Sequence, residues 1–266
     1  MRDRYLLPLA LFAALSFGAT PVTALTLDTF STTLPPNPCL PVTGQPVVFL
    51  GPFCDGAACP PDAFAACVEP SASQSGAAGV YAGTRRDVIV HNWLDEPTRA
   101  FVDPATHTLR ADFGGVSESL VDVFYGTPFD ATPAADALNL DLVTLGGSEF
   151  RFLVDGDFSD ANPIGIEVIV LSDAAVTPRP SATARITLDT PGIVSIPFVE
   201  FVPDLGFTFA DVDDIQITLS NCTNFDSGCG DREVPPLHLA NGPIDIVTAP
   251  VATVRTSWGR LKSSYR

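Results

Sequence analysis

Lysine is almost missing from this chain. Lys262, near the last residue, is the only one, and 14 basic residues stand against 31 acidic ones for a net charge of −17. Such a balance repels nucleic acid and anionic lipid headgroups, so both are excluded as partners. Beyond the first 24 residues no stretch has the ~18 apolar residues of a membrane-spanning helix. No segment holds an amphipathic helical period over three turns. There is no CxxC pair, and the histidines His91, His107 and His238 stand far from the cysteines, which argues against a zinc site. No GxSxG elbow occurs; the nearest string, Gly115-Val-Ser-Glu-Ser119, lacks its final glycine. Nucleophilic catalysis therefore has no motif to stand on.

What is present begins with a secretory signal. Arg2 and Arg4 precede the apolar run Leu6–Phe17, and Val22-Thr23-Ala24 places small residues at a cleavage site. Residues 1–24 are read as a signal peptide, with a mature chain from Leu25. Removing Arg2, Arg4 and Asp3 leaves 12 basic and 30 acidic residues, a net of −18. Export predicts that Cys39, Cys54, Cys59, Cys67, Cys222 and Cys229 form disulfides. Local pairing is the economical scheme: Cys222 with Cys229, Cys54 with Cys59, Cys39 with Cys67. Fifteen pairings are open to six cysteines.

The 25 prolines and 20 glycines are spread along the chain, and a period of two recurs after residue 80. Ile215, Ile217 and Leu219 share one face, as do Phe150, Phe152 and Val154, and Val194, Ile196 and Phe198. Further strands are predicted at 86–92, 107–113, 119–125, 138–143, 164–171, 183–189 and 244–248. Gly114-Gly115, Gly146-Gly147, Asp155-Gly156, Pro191-Gly192 and Asn241-Gly242 mark turns between them. Many short strands at this spacing predict an all-β fold, an antiparallel jelly-roll-like β-sandwich over 25–248. Residues 31–80, rich in Pro, Ala, Ser and Cys, read as an irregular, disulfide-stapled N-terminal segment packed on that sandwich. Residues 249–266 contain no acid and four bases, Arg255, Arg260, Lys262 and Arg266, and read as a basic tail.

Asp155-Gly-Asp-Phe-Ser-Asp-Ala-Asn162 sets hard oxygen ligands at Asp155, Asp157, Asp160 and Asn162, which suits Ca²⁺. The spacing is not that of an EF-hand, and the competing reading is a polar turn between strands. Asp211, Asp213 and Asp214 form a second acidic cluster. Calcium is thus the one candidate cofactor. For a sugar ligand, stacking platforms would come from exposed aromatics; Trp93, next to His91-Asn92, and Tyr125 are the candidates. The strand-borne Glu118, Glu149, Glu167 and Glu200 read as solvated rather than as a catalytic pair.

Leu27-Asp28-Thr29-Phe30, Gly83-Thr-Arg-Arg-Asp87, Gly114-Gly115-Val116, Leu140-Asp141-Leu142 before Gly146-Gly147, and Asp245-Ile246 together resemble segments of exported bacterial β-sandwich proteins, including substrates of the exosortase (PEP-CTERM) sorting system. The resemblance spans most of the mature chain through short motifs. Ala82 stands where that group has the first Gly of a pair. The Pro-Glu-Pro anchor is missing as well, and the chain ends instead in Ser257-Trp-Gly-Arg-Leu-Lys-Ser-Ser-Tyr-Arg266. That end resembles a short sorting tail carried by other exported proteins, with Trp258, Gly259, Lys262 and Arg266 as its marked positions. The resemblance implies a bacterial source, a secreted, extracellular or surface location, export or sorting machinery as a partner of the tail, and no catalytic activity. The expectation is an exported non-catalytic protein with a structural or surface role. The alternatives are a module binding carbohydrate or surface polymer, with structural calcium, and, third, a secreted hydrolase.

Overall fold

The computed structural model describes residues 24–34, 48–49, 71–74, 76, 78–81, 85–92, 98–113, 119–126, 137–172, 178–223, 225 and 237–248, with backbone alone at 48–49, 71–74, 91–92 and 99. They fall within the compact unit Thr23–Ala249. Strands dominate: β1 (Ala24–Asp28), β2 (Val48–Phe49), β3 (Ser71–Gln74), β4 (Arg86–Asn92), β5 (Arg99–Asp103), β6 (Thr108–Phe113), β7 (Ser119–Tyr125), β8 (Gly147–Gly156), β9 (Ile164–Ser172), β10 (Ser181–Leu188), β11 (Gly192–Pro197), β12 (Val202–Pro203), β13 (Val212–Ser220), β14 (Leu237–Asn241) and β15 (Ile244–Thr248). Two curled antiparallel sheets result, which makes the fold a β-sandwich. Among the described residues no helix is long and apolar enough to cross a membrane.

The first sheet has eight strands and is organised around β8. β11 lies along one edge of β8, with Val194 opposite Phe152. β14 and β15 follow one another along the other edge. Asn241 faces Val154 and Asp245 faces Arg151, so four residues advance on one side for three on the other. Gly242-Pro243 absorbs this one-residue bulge, which bends the line without breaking it. β6, β5 and β2 extend the sheet beyond β14, and β1 pairs with β15. The second sheet runs β12-β10-β9-β13-β7-β4-β3.

Between the sheets lies a core of alternating apolar side chains. Leu109, Ala111, Phe150, Phe152, Val154, Leu237, Leu239 and Ile246 come from the first sheet; Val88, Val90, Val121, Val123, Ile166, Val168, Ile215, Ile217 and Leu219 come from the second. Burying a side chain of this size contributes about 1.5–3 kcal/mol. At one end, Phe150, Phe198, Phe201, Phe207 and Phe209 form an aromatic cluster, with Phe198 stacked on Phe209 at 4.4 Å between centroids.

Three expectations need correction. Residues 138–143 are not a strand. Leu138, Leu140 and Leu142 are buried as their alternation predicts, but Asn139 has a positive φ of 50° and only Leu140 forms a bridge, to Val212. From Asp141 the chain turns, because the Asp141 carboxylate accepts from the Thr144 amide at 2.8 Å and from its hydroxyl. Nor is the 31–80 segment merely laid on the sandwich. It contributes β2 as an edge strand beside β5 and β3 as an edge strand beside β4. Glu167, read as solvated, is 8 % exposed and paired with Arg185.

Candidate functional site

A motif carried by the resemblance meets in the interior. Asp28 ends β1 and Arg86 opens β4, and both side chains are fully buried. Arg86 donates to both Asp28 oxygens, at 2.8 and 3.1 Å, and to the Thr32 carbonyl at 2.7 Å. The Phe30 amide donates to Asp28 at 2.7 Å, and the Tyr125 hydroxyl does so at 3.0 Å. The guanidinium also lies 5.7 Å from the centre of the Phe30 ring. Burial raises the Asp28 carboxyl above its usual range, against the opposing pull of the Arg86 charge. Burial likewise pushes the Tyr125 phenol well above its usual value. The L-D-x-F and R-D motifs are therefore two halves of one buried polar joint. Tyr125 belongs to it, fully buried, and is no stacking platform for a ligand.

The surface feature with the shape of a site lies on the water-facing side of the first sheet. Inward-facing Leu109, Ala111, Phe113, Leu237 and Leu239 turn their even-numbered neighbours outward by the pleat. Two cross-strand rows result. Phe101, Arg110, Ala240 and Asp155 stand opposite one another across β5, β6, β14 and β8. Beside them, Asp112 faces His238. Arg110, Asp112, Asp155, Gly156, Asp157, His238, Leu239 and Ala240 line a cleft of about 490 Å³.

The polar groups of this cleft are held in place. His238 Nδ1 lies 2.8 Å from Asp112 Oδ1, and the bond from Asp112 raises the imidazole pKa above its ordinary value. Asp157 clamps the backbone of His238, accepting from its amide at 2.7 Å and donating to its carbonyl at 3.3 Å. Arg110 is anchored by Asp103 at 3.2 Å, and the Asp103 carboxyl is lowered chiefly by the Thr106 hydroxyl. Carboxylate acceptors and cationic donors thus stand around the small side chain of Ala240 and the Gly156 backbone.

The predicted calcium set divides across this region. Asp155 and Asp157 line the cleft, whereas Asp160 sits in the tight turn that Ser159 and Asn162 close with reciprocal backbone bonds of 3.1 and 2.8 Å. Asp155 accepts from the Gly156 amide at 2.9 Å, and Asp157 is occupied by His238. Among the described residues no group of three or more His, Cys, Asp or Glu side chains is arranged to hold a metal ion. The second acidic cluster is tied down instead: Arg179 pairs with Asp214 and lies 3.9 Å from Asp213.

Cys222, buried just past β13, is disulfide-bonded. Cys39, Cys54, Cys59, Cys67 and Cys229 lie outside the described residues, as do Trp93, the Gly114-Gly115 motif and the tail positions Trp258, Gly259, Lys262 and Arg266. Sequence reasoning missed the cleft because it missed β5 and β14. The signal was partial: Ala100 and Val102 alternate inward on β5 and Leu237 and Leu239 on β14, but Phe101 is apolar on the outer side and Asn241 polar on the inner one.

No family model and no curated protein matches the chain. Among solved structures, it is similar to the family 11 carbohydrate-binding module of a cellulosomal cellulase of Clostridium thermocellum (14 % identity, 68 % of this chain and 88 % of that one, TM-score 0.33). It is also similar to a family 30 carbohydrate-binding module (16 % identity, 69 % and 88 %, TM-score 0.35). An agarase, AgWH50C, is matched over 57 % of this chain and 22 % of that one, at 11 % identity and TM-score 0.36. At these identities and scores none of them is a guide to site residues here.

Proposed function

We propose that this is an exported, non-catalytic β-sandwich protein that works outside the producing cell by holding a carbohydrate or other polyhydroxylated polymer in the cleft on its first sheet. The observation that carries the reading is the cleft itself. Fixed carboxylates accept hydrogen bonds from hydroxyls, Arg110 and His238 donate to hydroxyl and ring oxygens, and the small side chain of Ala240 lets a ring approach closely. Placing these groups on strands rather than loops preorganises them, which lowers the ordering cost of binding.

Export is supported by the signal sequence, whose predicted cleavage point lies at the first pair of β1, Ala24 opposite Val247, with Leu25 opposite Ile246. Trp258, Gly259, Lys262 and Arg266 mark the tail as a sorting signal in this reading. Affinity electrophoresis tests the binding claim. The exported protein should be retarded in a gel containing a suitable neutral polysaccharide, and Asp112→Ala with Asp155→Ala should run as in an empty gel. Equal mobility of wild type in every polysaccharide gel would sink the reading and return the protein to a purely structural role.

A further inference from the structure

The cleft has an aromatic neighbour that neither the sequence reading nor the comparisons mark. Ala100 and Val102 are buried against the core, so Phe101, between them on β5, faces water, half-buried. Cross-strand register places it directly opposite Arg110, which lines the cleft, with Ala240 and Asp155 next along the same row. Adjacent strands lie about 4.8 Å apart, so the row from Phe101 to Asp155 spans three steps, or about 14 Å. A single sugar ring does not cover that distance. A ring lying on Phe101 leaves its neighbours to cross Arg110, pass over the small side chain of Ala240 and reach the carboxylates of Asp155 and Asp157.

The charge around this track is also selective. Asp103, Asp112, Asp155 and Asp157 outnumber Arg110, His238 and Arg99, the last opposite Asp112 in register, and both Arg110 and His238 are engaged by a carboxylate. Glu149 and Asp245 flank Arg151 further along the same face of β8 and β15. A chain carrying a carboxylate or sulfate on each ring meets net repulsion here.

Resting on the binding reading above, we propose that Phe101 is the stacking platform of the cleft and that the ligand is a linear, uncharged polysaccharide laid across β5, β6, β14 and β8. The aromatic face binds the apolar side of a sugar ring, while the polar row reads hydroxyls further along the chain.

The test is affinity electrophoresis of the exported protein against linear neutral glucan, mannan and galactan, with polygalacturonate as the anionic probe. Wild type should be retarded by at least one neutral polymer and not by polygalacturonate. Phe101→Ala should weaken that binding about tenfold, and Phe101→Trp should keep or tighten it. Unchanged melting temperatures would show that both variants fold. If Phe101→Ala binds as wild type while Asp112→Ala with Asp155→Ala does not, the platform is wrong and the cleft reading survives. If polygalacturonate binds as well as the neutral polymers, the charge selection is wrong. If no neutral polymer retards wild type, both the platform and the reading fall.

Discussion

Arg86 and Asp28 lie 58 residues apart in the chain and form a bidentate ion pair, at 2.8 and 3.1 Å, in the closed interior between the sheets. Neither charge reaches water. Removing one partner leaves the other buried and uncompensated. Arg86→Met should therefore cost about 3–5 kcal/mol in urea unfolding, a large share of the ~5–15 kcal/mol available to a domain. Tyr125→Phe, which removes one hydrogen bond to Asp28, should cost about 1–3 kcal/mol. Asp28→Leu combined with Arg86→Met should recover part of the single-variant loss. Additive losses in the double variant would show that the two charges are not one unit.

Gly165, on β9, faces away from the core toward the segment that follows β13. A Cβ there would sit 2.4 Å from the Cys222 carbonyl oxygen and 2.8 Å from the Phe225 ring. Phe225 in turn lies under the Arg185 guanidinium, 5.5 Å from its ring centre. Gly165→Ala should destabilise by about 1–3 kcal/mol, as overpacking does. A melting temperature equal to wild type would show that this segment does not rest on the sheet in solution.

The His238–Asp112 bond makes a pH-dependent contribution that can be read residue by residue. Because the folded pKa of His238 is raised, its stabilisation is fully present below the ordinary histidine value and is lost as pH rises through the raised one. Asp141 and Asp103 behave in the opposite sense. Their folded pKa values are lowered by the Thr144 and Thr106 hydroxyls, so their contribution is present above the ordinary carboxylate range and is lost on acidification. Proton NMR titration should place the His238 midpoint above that of an unhindered histidine, and Asp112→Asn should bring it down. A midpoint unmoved by Asp112→Asn would remove the bond as its cause.

Calcium should leave the melting temperature of this domain unchanged. Asp157 is engaged by the His238 amide, and Asp160 sits in a turn of its own, so binding would have to displace existing hydrogen bonds. Differential scanning fluorimetry with a chelator and with millimolar Ca²⁺ checks this. A rise in melting temperature with Ca²⁺ would instead support Asp155, Asp157, Asp160 and Asn162 as ligands.

Peptide mapping without reduction should recover Cys222 linked to Cys229. Closing the eight-residue loop from Cys222 to Cys229 is worth about 2.5 kcal/mol on chain-entropy grounds. Intact mass should also show a chain beginning at Leu25 with no reactive thiol. A Cys222 linked to one of the four N-terminal cysteines would replace the local scheme with a staple across the fold.

Where alternation has one wet side, it was readable. β6 and β15 fall close to their predicted bounds, and β8 carries Phe150, Phe152 and Val154 inward as the pattern requires. β7 has its predicted bounds, 119–125, but lies inside a sheet. Nearly all its residues are buried on both faces, so nothing in its sequence distinguishes the core side from the other or marks Tyr125 as buried rather than as a stacking platform. Leu138, Leu140 and Leu142 show the converse. Their period reports burial correctly, yet the Asp141–Thr144 bonds that turn the backbone are a local competition that hydrophobic period cannot weigh. Phe101 and His238 stayed hidden because β5 and β14 break the alternation, Phe101 being apolar on the outer side and Asn241 polar on the inner one.

The sequence by itself determined the class of fold, the acidic charge and most strand positions, because these follow from composition and from a period that short-range sterics impose. Only the tertiary structure decided which residues meet. Strand register brought Asp28 to Arg86 and Tyr125 across the core, and set Phe101, Arg110, Asp112, Asp155 and His238 on one face. Pairing between distant strands is chosen by the global packing of two sheets, and no local stretch of chain contains that choice.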